Sequence, residues 1–171
     1  MIEVKKVLFS SKEYDEVLEI RKRVFVEEQK VPLGLEISNE KDSIFYAGYF
    51  DGLCVATARY RVMGTIAKIE RVATLPAFRG KGLAKKLMLG IQADLNNDEA
   101  IGILPILYSQ KSAVSFYLKL GWAIYGEPFT EAGISHSKMT FLTKDKKYKL
   151  DNFEDPELRV FLNHYNLQCS L

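Results

Sequence analysis

The sequence predicts a mixed α/β domain, a sheet with helices on its faces. Three observations predict it. Two apolar, β-branched runs are joined by Asp51-Gly52, a helix-period apolar stripe runs from Leu83 to Leu95, and strand-like and helix-like segments alternate along the chain. At 171 residues one hydrophobic core is the default expectation.

The elements follow in order. Ile2 to Phe9 reads as a strand. Ser10 and Glu13 have capping-box spacing, and Val17, Ile20 and Val24 recur at helical intervals, so a helix is predicted from Ser11 to about Phe25. Pro32 and Gly34 break that pattern, leaving 30–42 as a loop or a short second helix. Ile44 to Phe50 and Leu53 to Val62 form a predicted hairpin, because a type I′ turn needs positive φ at both central residues and Asp-Gly supplies it. A strand from Ile66 to Thr74 ends before Pro76. A helix from Lys81 carries Leu83, Leu87, Ile91 and Leu95 on one side and closes at Asn96-Asn97-Asp98. Ile101 to Tyr108 reads as a strand, and Ser112 to Leu120 as a helix stopped by Gly121. Trp122 to Tyr125 and His136 to Leu142 make a last strand pair. Residues 143–171 read as a helical extension packed on a 1–142 domain. There Asp155-Pro156 supplies an N-cap and first-turn proline, and Leu158, Phe161, Leu162 and Tyr165 supply an apolar face.

Composition narrows the function classes. Apolar residues make up 47% and charged residues 27%, the balance of an ordinary soluble domain. No apolar run approaches the roughly 18 residues of a membrane span, and the first residues lack signal-peptide order. Cys54 and Cys169 suggest neither a disulfide framework nor a zinc site, so a cytoplasmic, metal-free protein is expected. The net charge of +2 gives no reason to expect nucleic acid, and the basic run Lys144 to Lys149 reads as a solvated spacer.

The chemistry concentrates in Glu70 to Ala84: a strand, a turn containing Gly80 and Gly82, and a helix start. The first turn of a helix has unpaired N–H groups and the positive end of its dipole, which together suit a phosphate. Arg79 and Lys81 add positive charge. The Walker pattern needs Ser or Thr where Gly82 stands, and the three-glycine dinucleotide fingerprint is missing. By themselves these residues leave a pyrophosphate cradle and a plain strand-to-helix turn equally open.

Arg79-Gly80-Lys81-Gly82-Leu83-Ala84 resembles the acetyl-CoA motif Arg/Gln-x-x-Gly-x-Gly/Ala of GNAT acyltransferases. Ser112 to Trp122 resembles the later Ala-x-x-Phe-Tyr-x-x-x-Gly-Phe segment of that superfamily. Arg21 to Gln29, Lys68 to Val72 and Phe129 to His136 are similar to the ElaA-like bacterial subgroup, and the likeness spans about residues 1 to 142. It implies an α/β (α+β) GNAT fold: a mixed, mostly antiparallel sheet flanked by helices, with two central parallel strands splayed at the acetyl-CoA site.

It also implies an N-acetyltransferase in which a primary amine attacks acetyl-CoA directly, so Cys54 reads as a core residue. Cofactor contacts are expected from Val72, Ala73, Thr74, Arg79, Gly80, Lys81, Gly82, Leu83, Ala84, Ser112 and Phe116, although Phe116 also reads as core. Tyr117 takes the place of the general acid that protonates the leaving thiolate. Most of an alkylamine is protonated at neutral pH, so a base is needed. Glu70 is the candidate by alternation with Val72 and Thr74, set against an ion pair with Arg59, Arg61 or Arg71. Glu28, Gln29 and His136 are expected to face the acceptor, a small-molecule or peptide amine. Arg21, Arg23, Arg59 and Arg61 are the candidates for an anionic substituent on it. The chain is expected as a monomer or homodimer. The alternatives are an inactive acetyl-CoA sensor and an interaction domain docking a partner through Leu158, Phe161 and Leu162.

Overall fold

A computed structural model describes residues 1–97, 103–143 and 148–168. Parts of three expectations, the closing Asp98, the strand start at Ile101 and the basic run from Lys144 to Lys147, lie outside the described residues, as does Cys169.

The strands are β1 (Ile2–Val7), β2 (Ser43–Phe50), β3 (Leu53–Met63), β4 (Ile66–Thr74), β5 (Leu104–Gln110), β6 (Ala123–Ile124), β7 (Phe129–Glu131) and β8 (Ile134–Thr140). The helices are α1 (Lys12–Arg21), α2 (Leu33–Glu36), α3 (Leu83–Asn97), α4 (Val114–Leu118) and α5 (Pro156–Gln168). The strands form one mostly antiparallel sheet in the order β1-β2-β3-β4-β5-β8-β6, with β7 paired to β8 and a single parallel pair. The chain divides into two compact units, residues 1–62 with 69–97, and residues 63–68 with 98–171.

In the first unit β1 pairs antiparallel with β2, and β2 with β3 through the Asp51-Gly52 turn, whose φ values of 49° and 82° are the positive pair that the sequence predicts. Helix α3 packs on β2, its buried Leu83, Leu87, Met88, Ile91 and Leu95 forming the expected stripe. The α1 cap differs by one residue from expectation. Ser11, not Ser10, accepts the Tyr14 amide at 3.2 Å, while Ser10 itself takes a left-handed φ of 65°. The first helix also does not continue as an α-helix to Phe25. From Lys22 to Glu28 it widens into a π-helix, ending with the Gln29 amide on Val24 O.

In the second unit β5 and β8 pair antiparallel, with Gln110 opposite His136. Helix α5 starts at its cap, Asp155 Oδ1 accepting the amides of Glu157 (2.9 Å) and Leu158 (3.3 Å). Leu158 and Leu162 are fully buried in one cluster with Leu104, Ile106 and Tyr125, and Phe161 packs against it. This corrects the interaction-domain alternative, because two of the three leucine and phenylalanine side chains assigned to a docking face are core.

Candidate functional site

In the first unit the glycine turn leads into α3. Gly80 and Gly82 hold φ of 77° and 87°, and a Cβ placed on Gly80 would meet nothing within 4 Å. These glycines are therefore demanded by backbone conformation and not by close packing, a Cβ on Gly82 meeting only Ile2 Cδ1 at 4.0 Å. The Lys86 amide donates to Gly82 O at 3.0 Å, and it is the first along the turn to be engaged. Among the described residues the amides of Gly80 through Lys85 have no intramolecular acceptor. That row of N–H groups at the start of a fifteen-residue helix has the arrangement that suits an anion.

The side chains around the turn are already ordered. Arg79 donates from Nε to Thr74 O at 3.1 Å and from Nη2 to Glu28 at 2.6 Å. That bond holds the Glu28 carboxyl below its ordinary range. Lys81 places its ammonium 4.7 Å from the Phe50 ring centre and 5.0 Å from that of Phe78. Of the strand residues expected beside the cofactor, Val72 is half-buried, while Ala73 and Thr74 are buried, Ala73 against Ile20 and Val24. Leu83 is core and Ala84 is half-buried. Glu28 is exposed and Gln29 half-buried at the end of the π-helical segment.

Glu70 is committed elsewhere. Arg59 Nη2 and Arg61 Nε reach its Oε2 at 3.0 and 3.1 Å, and Arg61 Nη2 reaches Oε1 at 3.0 Å. Arg71 takes a left-handed φ of 55°, which interrupts strand alternation. Glu70 and Arg71 consequently both reach one charge network, so the face of Glu70 cannot be carried across to Val72 by counting twos. The network continues through residues that sequence reasoning missed. Glu40 holds Arg59 (2.7 Å) and Arg21 (2.8 Å), and Glu36 holds Arg21 (2.6 Å) and Arg71 (2.6 Å). Burial pushes the Glu36 carboxyl up despite those cations. No periodicity marks Glu36 and Glu40, which lie in and after a four-residue helix; the only signal was Arg59-x-Arg61, which puts two guanidiniums on one face of β3. Arg21 and Arg59 are fully buried and ion-paired, so neither is presented to an acceptor's anionic group, and Arg23 pairs with Glu19 on the surface.

In the second unit Ser112 is exposed, Phe116 is half-buried and Tyr117 is buried. The Tyr117 ring sits edge-on between Phe116 (4.9 Å) and Trp122 (6.2 Å). Burial pushes its phenol pKa up, which makes it a weaker acid than an exposed tyrosine. Its hydroxyl has no hydrogen-bond partner among the described residues and is not one of the sealed-off polar atoms. His136, at 8% exposure, bonds through Nδ1 to Ile134 O at 2.8 Å and stacks on Phe129 at 5.6 Å. Among the described residues no group of three or more potential metal ligands occurs, and no helix is long and apolar enough to cross a membrane.

The family model described as an acetyltransferase (GNAT) domain matches residues 12–143. A Bacillus subtilis (strain 168) protein provisionally named an acetyltransferase is 34% identical over 141 residues, covering 80% of this chain and 94% of its own length. Among solved structures, Escherichia coli ElaA matches with a TM-score of 0.71 and 24% identity, over 83% of this chain and 100% of that one. An N-acetyltransferase, PaiA of Thermoplasma acidophilum, solved in complex with coenzyme A, matches with a TM-score of 0.62 and 17% identity, over 82% and 98%.

Proposed function

The chain belongs to the GNAT acetyltransferase family, and from that premise we propose that it transfers an acetyl group from acetyl-CoA to a primary amine by direct attack. The observation that carries this reading is the row of unengaged amides from Gly80 to Lys85, open to solvent above Gly80. That cradle fits a pyrophosphate, and the coenzyme A bound by PaiA supports the choice of ligand. Acetyl-CoA would supply the activated acetyl group as a thioester.

This chain's residues then divide the remaining work. The amides from Gly80 through Ala84 hold the pyrophosphate, the Arg79 amide being taken by the Pro76 carbonyl, and Arg79 and Lys81 add charge. Val72, Ala73 and Thr74 offer backbone groups to the pantetheine arm, and Ser112 and Phe116 line it. Tyr117, protonated at neutral pH as an ordinary phenol is, gives its proton to the leaving sulfur, a transfer that its burial makes more uphill and that the position of the ring beside the thioester has to offset. Cys54 supports direct attack over an acyl-enzyme, because burial pushes its thiol up to about 12 and leaves almost no thiolate at neutral pH. Glu28 and Gln29 face the acceptor, a small-molecule or peptide amine. Cytoplasmic location, absence of a metal requirement, of a nucleic-acid partner and of a membrane partner, and a monomeric or homodimeric state belong to the same proposal.

Calorimetry with acetyl-CoA tests it, using Gly82→Asp as the control. The wild-type chain is expected to bind. The variant, which puts a carboxylate at the cradle on a strained φ of 87°, should lose roughly tenfold or more in affinity, with its melting curve measured alongside to separate lost binding from lost fold. A folded wild-type chain that ignores acetyl-CoA refutes the proposal.

A further inference from the structure

Resting on the acetyl-transfer reading, we infer that His136 is the base that takes the proton from the acceptor amine, through Nε2. The amine arrives largely as an ammonium and cannot attack until a proton leaves it. Glu70 is poorly placed for that task, since both its oxygens are held by guanidiniums. His136 has the opposite arrangement.

The Ile134 carbonyl 2.8 Å from Nδ1 can only accept a hydrogen bond, so Nδ1 carries the proton and the neutral ring's lone pair stands on Nε2. Nε2 is bonded to no described residue, and it is not one of the buried polar atoms sealed off from solvent. One nitrogen anchored to an acceptor and the other left open is the arrangement of a working histidine base.

The ring is also fixed in place. It stacks on Phe129 at an interplanar angle of 25°, and Tyr108 meets Phe129 edge-on at 5.1 Å. Register puts His136 opposite Gln110, the last residue of β5, and the next residues carry Ser112, Phe116 and Tyr117. Base and acid are thus brought to one end of one strand within the same unit.

The proton balance closes. One N–H proton of the ammonium passes to His136 Nε2, directly or through one water, and then to solvent. The nitrogen's electron pair forms the C–N bond, and the pair of the broken C–S bond stays on sulfur, which takes the phenolic proton of Tyr117. The second proton shed by the new amide restores Tyr117.

His136→Asn separates this role from a structural one, because the asparagine amide keeps a donor near the Nδ1 position for Ile134 O and deletes Nε2. Thiol release is measured with acetyl-CoA and a panel of spermidine, phenethylamine, glucosamine and an alanine-terminated peptide. On the best amine, kcat should fall roughly 10²–10⁴-fold with unchanged melting temperature and acetyl-CoA affinity. His136→Ala should regain turnover with added imidazole. Nitrogen-15 NMR of the wild-type ring should show the Nδ1–H tautomer. Asparagine activity within threefold of wild type, no imidazole rescue or an Nε2–H tautomer overturns the assignment and leaves acetyl transfer standing. A wild-type chain that binds acetyl-CoA but acetylates no amine overturns both.

Discussion

Arg21→Met should be among the most damaging single substitutions in the first unit, although it touches no proposed reacting group. Arg21 is fully buried, with Nε on Glu36 Oε1 at 2.6 Å and Nη2 on Glu36 O at 3.0 Å and on Glu40 at 2.8 Å. Removing one partner of a buried pair costs about 3–5 kcal/mol, because the survivor stays desolvated. The low end applies here. The network holds four arginines (21, 59, 61, 71) and three glutamates (36, 40, 70), so the substitution takes it from +1 to neutral, and the cost falls on Glu36 Oε1 and the Glu36 carbonyl while Glu40 keeps Arg59. A loss of about 3 kcal/mol corresponds to a melting temperature lower by roughly 6–12 °C in a chain of this size. Calorimetric melting reads it.

The pH dependence has a definite sign. Burial raises the Glu36 carboxyl above its ordinary value, and Arg71 and Arg21 pull it back in part. Without Arg21 it rises further. A carboxyl with its folded pKa above its unfolded one stabilises the fold through its proton, fully below the unfolded pKa and less as pH rises through the folded one. The deficit of the variant is therefore smaller at pH 5 than at pH 8, and adding Glu36→Gln recovers part of it. A loss under about 1 kcal/mol, or a deficit that grows on acidification, refutes the reasoning.

Two further outcomes follow from local geometry. A Cβ on Gly126, at φ 65°, would lie 2.4 Å from Glu157 Oε2, so Gly126→Ala must push Glu157 off Lys138 and off the Glu127 amide. Its melting temperature should drop by several degrees, and the drop should shrink when Glu157→Ala is added; full additivity in that cycle contradicts the clash. In a Cys169→Ser background, Cys54 should react with iodoacetamide at pH 8 at least a hundredfold more slowly in the folded chain than in urea, and equal rates would show that its thiol is not suppressed.

The sequence was most readable where one local rule decides. The strand from Ile66 to Thr74 matches residue for residue, and Asp51-Gly52 turns as its φ requirement demands. The tail helix follows its Asp155-Pro156 start, since the Asp155 side chain caps the first amides and the proline fixes its own φ, both local effects. Reading failed where a single residue departs from the period. Arg71 adopts a conformation unusual for arginine, and nothing in Glu70-Arg71-Val72 announces it. The π-helix from Lys22 to Glu28 shows no break in apolar spacing before Val24. The three-residue β7 is too short to carry an alternation, and only its pairing with Ile134 to His136 defines it. Glu36 and Glu40 are legible only once Arg21, Arg59 and Arg71 converge on them, which is long-range information.

Glu28 and Arg79 show how two separately sensible assignments become one. Arg79 was expected at the cofactor and Glu28 at the acceptor, yet the two side chains are 2.6 Å apart and bonded to each other. A phosphate arriving at the turn competes with Glu28 for the same guanidinium, so the carboxylate acts against the ligand it sits beside. Both side chains are nearly half exposed, and exposed pairs contribute about 0–1 kcal/mol, so the competition is modest. Glu28→Gln should therefore tighten acetyl-CoA binding by roughly two- to fivefold, most at low salt, where the pair it removes is strongest. If calorimetry instead finds weaker binding in the glutamine variant, Glu28 orders Arg79 for the phosphate instead of opposing it, and the two residues form one cofactor-side element.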